Sequence, residues 1–390
     1  MRSLVIKLCL GITILFITAN SWALVNPRGT EETFDIATWN IREFPRMGQR
    51  TVDTLAIMIR DLQLDLIAIE EINDTLAFAN LLSLLPGWDG FYSPDITTVD
   101  SYQKTGIIYR TDQISILSWE PIFNYGHDWE FPRPPIRITV VAELPTGTFD
   151  FYLIVMHLKA YDDDTSRERR MLAMAVLKEY LDEIVPFLPD HDWMVVGDYN
   201  DELTDTQEQN IFWDFLQDSE NYSFLTMPLA DNPYWSSYIF YNSLIDHIMV
   251  THDALGEYGN DGETITLRLD DEYSNYTNVI SDHRPVMARF TDFSTGIDDH
   301  KQLPDNFGLT AYPNPFNMST NIAFSLTTPS QVRLDIYDCL GRLTGTLINS
   351  PYLAGNYSCR FNAAGIASGV YFIKLTTDND TEIKKINLIK

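Results

Sequence analysis

Residues 137–157 read Arg137-Ile-Thr-Val-Val-Ala-Glu-Leu-Pro-Thr-Gly-Thr-Phe-Asp-Phe-Tyr-Leu-Ile-Val-Met-His157. Two apolar runs, Arg137–Leu144 and Asp150–Met156, are separated by a link too short to hold a helix. Strands joined this way are antiparallel neighbours, because a parallel pair needs a long crossover. Working outward, strands are expected at Thr33–Trp39, Asp65–Glu70, Thr105–Arg110, Trp193–Gly197, Ile245–Thr251 and Pro285–Phe290. Leu55, Met58, Ile59 and Leu62 give Thr51–Leu62 a helical spacing. Ser166–Glu183 reads as a second helix with Ser166 as its N-cap. Short links between several strands favour two packed sheets with helices outside, an α+β arrangement, over a doubly wound parallel sheet.

Beyond this region the chain changes character twice. Its 390 residues leave room for two or three domains. Residues 24–293 carry 17 Lys+Arg against 47 Asp+Glu, while residues 294–390 carry 8 of each. Such an acidic body excludes a protein that holds nucleic acid on a broad basic face. It does not exclude a nucleic-acid enzyme, in which a metal ion and a few placed cations act locally. Residues 1–23 have Arg2 and Lys7, an apolar run from Leu8 to Thr18, and Ser21 and Ala23 at the end. That is the pattern of a cleaved secretory signal peptide, too short for a stable membrane span. Cys9 leaves with it, and export makes a Cys339–Cys359 disulfide permissible.

Polar and charged residues recur where the strands end. Asn40 closes Ala37-Thr-Trp-Asn40, Glu71 follows Leu66-Ile-Ala-Ile-Glu70, and His157 closes Leu153-Ile-Val-Met156. Asp198 and Asn200 follow Val195-Val-Gly197, Asp246 opens Asp246-His-Ile-Met-Val250, and Asp282 and His283 precede Arg284-Pro-Val286. Alone, each has a bland explanation: a turn, a solvated edge, a satisfied core histidine. Together they are what metal-assisted phosphoester hydrolysis requires. A hard cation wants carboxylate and amide oxygens. An attacking water needs a base, and the leaving oxygen needs an acid.

In order, Trp39-Asn-Ile-Arg42, Ile69-Glu-Glu-Ile72, Met156-His-Leu-Lys159, Gly197-Asp-Tyr-Asn200, Ile245-Asp-His-Ile248 and Ser281-Asp-His-Arg-Pro285 resemble the motifs of the endonuclease/exonuclease/phosphatase superfamily, the fold of deoxyribonuclease I. The resemblance spans residues 33–291 and implies a four-layer α/β/β/α sandwich with one divalent-metal site. It implies Mg²⁺, with Mn²⁺ or Ca²⁺ as substitutes, on Glu71 with help from Asn40. His157 and His283 would bracket the scissile phosphate, with Asp282 orienting His283. Asp198 and Asn200 would position or deprotonate water, and Asp246 would complete the polar floor. Arg42 and Arg133, the latter in Phe131-Pro-Arg-Pro-Pro135, resemble phosphate contacts of deoxyribonuclease I, and Lys159 and Arg284 flank motif residues. The sequence departs from the family at Glu70, where Gln is frequent, at Tyr199, where Phe is frequent, and at Lys104, near the place of a second acidic catalytic residue in deoxyribonuclease I.

After a linker at 292–307, a period-2 pattern over residues 308–390 suggests a small all-β sandwich of about seven strands. Strands are expected at Thr320–Leu326, Gln331–Tyr337, Gly355–Phe361, Gly369–Thr376 and Thr381–Ile389. Leu309-Thr-Ala-Tyr-Pro-Asn-Pro-Phe-Asn317, Ile336-Tyr-Asp-Cys-Leu-Gly-Arg342, Ala367-Ser-Gly-Val-Tyr-Phe372 and the terminal Lys384–Lys390 resemble a type A sorting domain of the type IX secretion system. That implies passage through the periplasm of a Gram-negative bacterium, by way of the type IX machinery, to the cell surface or the medium. The sequence therefore reads as a secreted, monomeric, metal-dependent phosphoesterase, with nucleic acid as the expected substrate. A phospholipid or small-molecule phosphodiesterase is the alternative on the same site, and an inactive surface-binding module the alternative of another class.

Overall fold

The computed structural model describes residues 23–94, 103–123, 126–185, 188, 190–293, 307–312, 314–352 and 355–389. Nearly all of the expected signal segment and most of the expected linker lie outside the described residues.

The first strands and helices are β1 (Phe34–Phe44), α1 (Gln49–Leu62), β2 (Leu66–Ile72), α2 (Thr75–Ser83), β3 (Trp88–Tyr92), β4 (Lys104–Arg110), β5 (Ile114–Pro121), β6 (Ile136–Leu144), β7 (Gly147–His157) and α3 (Asp164–Ile184). The strands β8 (Trp193–Asp198), β9 (Tyr222–Phe224), β10 (Asp246–Thr251), β11 (Glu263–Thr266) and β12 (Val286–Phe290) follow. They form two six-stranded sheets, ordered β11-β12-β1-β2-β4-β3 and β5-β6-β7-β8-β10-β9. Each sheet has a single parallel pair, β1 with β2 and β7 with β8, and every other pairing is antiparallel. These parallel pairs are the two joined through α1 and α3. The expected hairpin is β6–β7, from Ile136↔Val155 to Leu144↔Gly147.

The apolar runs look continuous because both faces of each central strand are covered. On β2, Leu66 and Ala68 face the layer between the sheets, with Phe151, Val155, Val196 and Val286. Ile67 and Ile69 face the other way, onto Leu55, Ile59 and Leu62 of α1. On β7 and β8, Ile154, Met156 and Val195 pack under Ala173, Leu177 and Leu181 of α3. The result is the expected four-layer α/β/β/α sandwich. The start of α3 differs from expectation. Asp163 is the N-cap, accepting from the Ser166 amide at 3.0 Å and from its hydroxyl at 2.7 Å. Ser166 lies in the first turn, and both residue types can cap, so sequence alone does not choose between them.

At the base of the first sheet Asp65 is wholly buried, and its Oδ2 accepts the Asp35 amide at 2.7 Å. Burial pushes its carboxyl up to about 8, despite that hydrogen bond. A carboxyl raised by folding costs stability as pH climbs from its unfolded value, about 4, to its folded one. Asp65→Asn keeps an acceptor for the Asp35 amide and removes the ionisation. The variant should therefore melt with the parent near pH 4 and be more stable at pH 8, by about 2 kcal/mol after allowing for relaxation of the site. Thermal unfolding across that range measures it, and a gain independent of pH would refute the assignment.

The C-terminal unit has seven strands among the described residues: β13 (Gly308–Tyr312), β14 (Ser319–Leu326), β15 (Ser330–Asp338), β16 (Leu343–Tyr352), β17 (Gly355–Asn362), β18 (Gly369–Thr376) and β19 (Thr381–Leu388). Sheets β13-β14-β17 and β16-β15-β18-β19 enclose Ile322, Phe324, Leu334, Ile336, Ile373 and Ile386. No strand was expected at β16. It is an edge strand on which only Ile348 is buried, so it carries no alternation, and it tolerates Pro351. Cys339 and Cys359 are free thiols and form no disulfide.

Candidate active site

Three residues meet because of strand register. His157 pairs with Asp198 across β7–β8, and Asp246 pairs with Asp198 across β10–β8. Gly197 permits this approach. A Cβ there would sit 1.9 Å from the Met156 carbonyl oxygen, and the residue has φ of 148°. From the facing sheet come Asn40 on β1 and Glu71 on β2, where the β1–β2 register shifts between Asn40 and Phe44. Such irregularities re-aim side chains at the end of a pair. Arg42, Glu43, Glu71 and Asn200 all have left-handed backbones, with φ of 38°, 46°, 67° and 55°. A non-glycine residue there costs about 1–2 kcal/mol, so backbone strain is concentrated at this end of the sandwich.

A hydrogen-bond net crosses between the sheets. Asn40 Nδ2 donates to Asp198 Oδ2 at 2.9 Å and to Glu71 Oε1 at 3.2 Å. Its Oδ1 accepts the Arg42 amide at 2.9 Å, and Glu71 Oε2 accepts the Glu43 amide at 2.8 Å. Asp198 Oδ1 accepts the Asn200 amide at 2.9 Å. His157 Nε2 and His283 Nε2 stand 3.5 Å and 4.0 Å from Asp198 Oδ2. Asn40, Glu71, His157, Asp198, Asn200, Asp246 and His283 thus gather at one end of the sandwich.

Two assignments change. The carboxylate on His283 Nδ1 is that of Asp246, at 2.8 Å, and not its chain neighbour Asp282. Asp282 turns to Arg42, Oδ2 to Nη1 at 2.6 Å. Asp282 sits at a bend before β12, outside any strand, while Asp246 already lies on the floor beside Asp198. Arg284 is also withdrawn from the pocket: it is buried in a two-bond pair with Asp270, at 2.7 Å each. Arg133 donates to the Leu158 carbonyl at 3.3 Å and to Gln103, which places it beside the His157 loop. Lys104 donates to the Ser93 carbonyl at 2.9 Å.

The two histidines differ electrostatically. Burial alone would lower His283, but Asp246 and Asp198 outweigh it and raise it to about 10. His283 is therefore an imidazolium at neutral pH. His157 is held well below its ordinary value by burial, then by Arg133, His283 and Lys159, and is neutral. Its Nδ1 is buried without a hydrogen-bond partner. Burial and then Asp246 raise the carboxyls of both Asp198 and Glu70. Glu70 is fully buried with Thr38 Oγ1 at 2.8 Å, and Glu70 Oε2 and Asp246 Oδ1 have no partner.

This donor set fits a hard divalent cation. Asp198, Asp246 and His283 bring ligand atoms within 4.8 Å of one another, and Glu71 adds a carboxylate bridged to Asp198 through Asn40. Crowded carboxylates with raised proton affinity and an orphaned Asp246 oxygen are charge that a cation relieves. His283 Nδ1 is committed to Asp246, so the carboxylates are the better ligands. Asn40, as placed, turns its nitrogen to Glu71 and braces the site.

The model of the endonuclease/exonuclease/phosphatase family matches residues 37–283. The chain belongs to this family. It is accordingly a phosphoric ester hydrolase, from a family generally dependent on divalent metal. The model of the secretion system C-terminal sorting domain matches residues 310–389, which indicates secretion or cell-surface localisation in bacteria. No described helix is long and apolar enough to cross a membrane. No curated protein matches the chain. Similar solved structures include D. rerio TDP2 complexed with a single-strand DNA product, at 13% identity and TM-score 0.49, covering 67% of this chain and 99% of that one. The human nocturnin catalytic domain with bound sulfate is 20% identical with TM-score 0.47, covering 66% and 93%. An endonuclease/exonuclease/phosphatase family protein from Bacteroides thetaiotaomicron is 17% identical with TM-score 0.47, covering 67% and 96%.

Residues that sequence reading missed hold the site in place. Ser281 Oγ donates to the Asn40 carbonyl at 2.6 Å and accepts the His283 amide at 3.0 Å, tying β1 to the loop before β12. Tyr276 Oη donates to the His283 carbonyl and accepts from Trp39 Nε1 at 2.9 Å. Ser237 Oγ accepts the Asp246 amide at 3.1 Å. Hydroxyls acting through backbone groups carry no spacing signal, although Ser281 stands inside the last motif.

Proposed function

We propose that the chain is an exported, divalent-metal-dependent nuclease that hydrolyses phosphodiester bonds of extracellular DNA or RNA. The observation that carries the nucleic-acid reading is the mixture of cations and rings around the phosphate pocket of an acidic protein. Arg42 pairs with Asp282 next to His283, Arg133 bonds the carbonyl of Leu158 next to His157, and the Tyr238 ring lies 5.0 Å from the His283 ring and stacks with Tyr241 at 5.6 Å. Bases stack on such faces without sequence preference.

In this reading water attacks phosphorus, the bond to the leaving oxygen breaks, and one proton is passed on. Asp198, oriented by Asn40 and beside the Asn200 turn, positions the water and takes up its proton. The His283 imidazolium, fixed by Asp246, binds a non-bridging phosphate oxygen and offsets the charge that develops there. Neutral His157, its Nε2 3.5 Å from Asp198 Oδ2, hydrogen-bonds the leaving oxygen, which departs with the proton that Asp198 has taken from water. Bound Mg²⁺, held by Glu71 with the neighbouring carboxylates, would supply Lewis-acid stabilisation. A signal peptide at 1–23 and the tail after residue 307 would route the enzyme out of a Gram-negative cell, as a monomer.

A second reading has its own observation. The segment 232–244 exposes Tyr234, Phe240 and Tyr241 at 55%, 59% and 77%, the kind of aromatic surface a phospholipid phosphodiesterase presents to an interface. Plasmid, linear DNA, RNA, sphingomyelin vesicles and a phosphomonoester, each with Mg²⁺, Mn²⁺, Ca²⁺ or EDTA, decide between them. The nuclease reading expects DNA or RNA cleavage abolished by EDTA. Turnover of sphingomyelin or the monoester alone would overturn it.

A further inference from the structure

Past His157 the chain forms a ledge along one side of the cleft, and that ledge is cationic. Lys159 Nζ lies 4.3 Å from the centre of the Tyr161 ring and donates to the Ala160 carbonyl at 3.2 Å. The Arg169 guanidinium lies 4.5 Å from the Trp129 ring and donates to the Trp129 carbonyl at 2.6 Å. Both rings are open to solvent, Tyr161 at 74% and Trp129 at 52% exposure.

Asp163 and Glu130 act on Lys159 and Arg169 only through space, and the other nearby acids are committed elsewhere. Asp163 caps α3 through Ser166, and Asp162 and Asp164 face Arg167. Among the described residues, neither Lys159 nor Arg169 forms an ion pair. Burial and then Arg169 and Arg133 make the Lys159 ammonium more acidic, so these cations crowd one another. The ledge also abuts the pocket, because Arg133 and Lys159 both act on His157. It is rigid. Arg170, wholly buried, donates to the carbonyls of Lys159 and Tyr161 at 2.8 Å and 2.7 Å and pairs with Asp201 at 2.9 Å. Cations without an ion-pair partner among the described residues, each laid on an exposed ring and held in place beside a phosphate pocket, match a further phosphate with its base.

We propose that Lys159 and Arg169, with Tyr161 and Trp129, form a subsite for the phosphate and base next to the scissile diester along a strand. This rests on the nuclease reading. The test compares a single-stranded oligonucleotide with bis(4-nitrophenyl) phosphate, which has one phosphate only. In Lys159→Gln/Arg169→Gln, the ratio of kcat/KM on the oligonucleotide to that on the small diester should fall at least tenfold. The slope of log kcat/KM against log salt should become shallower by about 1. An unchanged ratio and salt slope would overturn the subsite.

If the wild type hydrolyses the small diester but never the oligonucleotide, the nuclease reading fails by itself. The subsite is then read by inhibition. A dinucleotide carrying a 5′-phosphate should inhibit diester hydrolysis at least tenfold better in the wild type than in the double variant, and equal inhibition would defeat the proposal. Tyr161→Ala, at a position exposed enough to leave the fold alone, should lower the same ratio without altering the salt slope. A changed slope there would count against separate stacking and charge roles.

Discussion

His283→Ala should lower kcat/KM on a phosphodiester by about 10²–10³, the range for losing a preorganised donor at developing phosphate charge. The expectation follows from the histidine's surroundings. Its Nδ1 is locked to Asp246 at 2.8 Å, and the carboxylates hold the ring protonated up to about pH 10. The wild-type profile of kcat/KM should therefore keep its activity at neutral pH and fall on an alkaline limb, below 10 to the extent that a bound cation offsets Asp246 and Asp198. Asp246→Asn removes the largest influence raising the imidazolium, so the same limb should move toward neutral pH. Asp282→Asn should leave it nearly in place, because that carboxylate is bonded to Arg42 and contributes least of the three. Equal displacement of the limb by both variants would restore Asp282 as the orienting acid. Survival of more than a tenth of the activity in His283→Ala would remove the imidazolium from the mechanism.

That contrast marks what the sequence can show. The strand-end placement of Asn40, Glu71, His157, Asp198 and His283 was legible because apolar strands bounded by a single polar residue are a local pattern. The pairing of His283 with Asp246 was not. It joins residues 37 positions apart and depends on β10 lying beside β8 in a register that sets Asp246 opposite Asp198. Proximity in sequence favoured Asp282 for the same role, but that side chain, at a bend in the chain, is taken by Arg42. Arg284 misled in the same way, since a cation beside a motif histidine is consumed by Asp270. Two packed sheets with helices outside were legible from the short links between strands such as β6 and β7, and the four-layer sandwich from the resemblance that the motifs carry. The edge strand β16 was not, because an element with one buried residue has no pattern to read.

Glu71 separates metal binding from proton transfer, and its replacement should show the second large effect. Its carboxylate is half-buried, fixed by the Glu43 amide and Asn40, on a residue with φ of 67°. A left-handed backbone at a charged residue is worth its strain where the side chain must face one point. Glu71→Gln keeps the shape and the Glu43 hydrogen bond, gives up the one from Asn40, and removes one negative charge from a hard-cation site. It should raise the Mg²⁺ concentration for half-maximal activity by at least a hundredfold and lower activity in proportion at fixed metal. Binding can be read without turnover. A metal that binds only the folded state stabilises it by about 2.7 kcal/mol at a hundredfold excess over Kd, so Mg²⁺ should raise the melting temperature of the parent. The same addition should leave Glu71→Gln nearly unmoved. His157→Ala should behave oppositely, with the metal-dependent melting shift retained and kcat reduced by about 10²–10³, because a neutral imidazole donates a hydrogen bond to the reacting group and holds no cation. If both variants lose the melting shift equally, then His157 is part of the metal site, and the division between a carboxylate floor for the cation and a histidine pair for the phosphate does not hold.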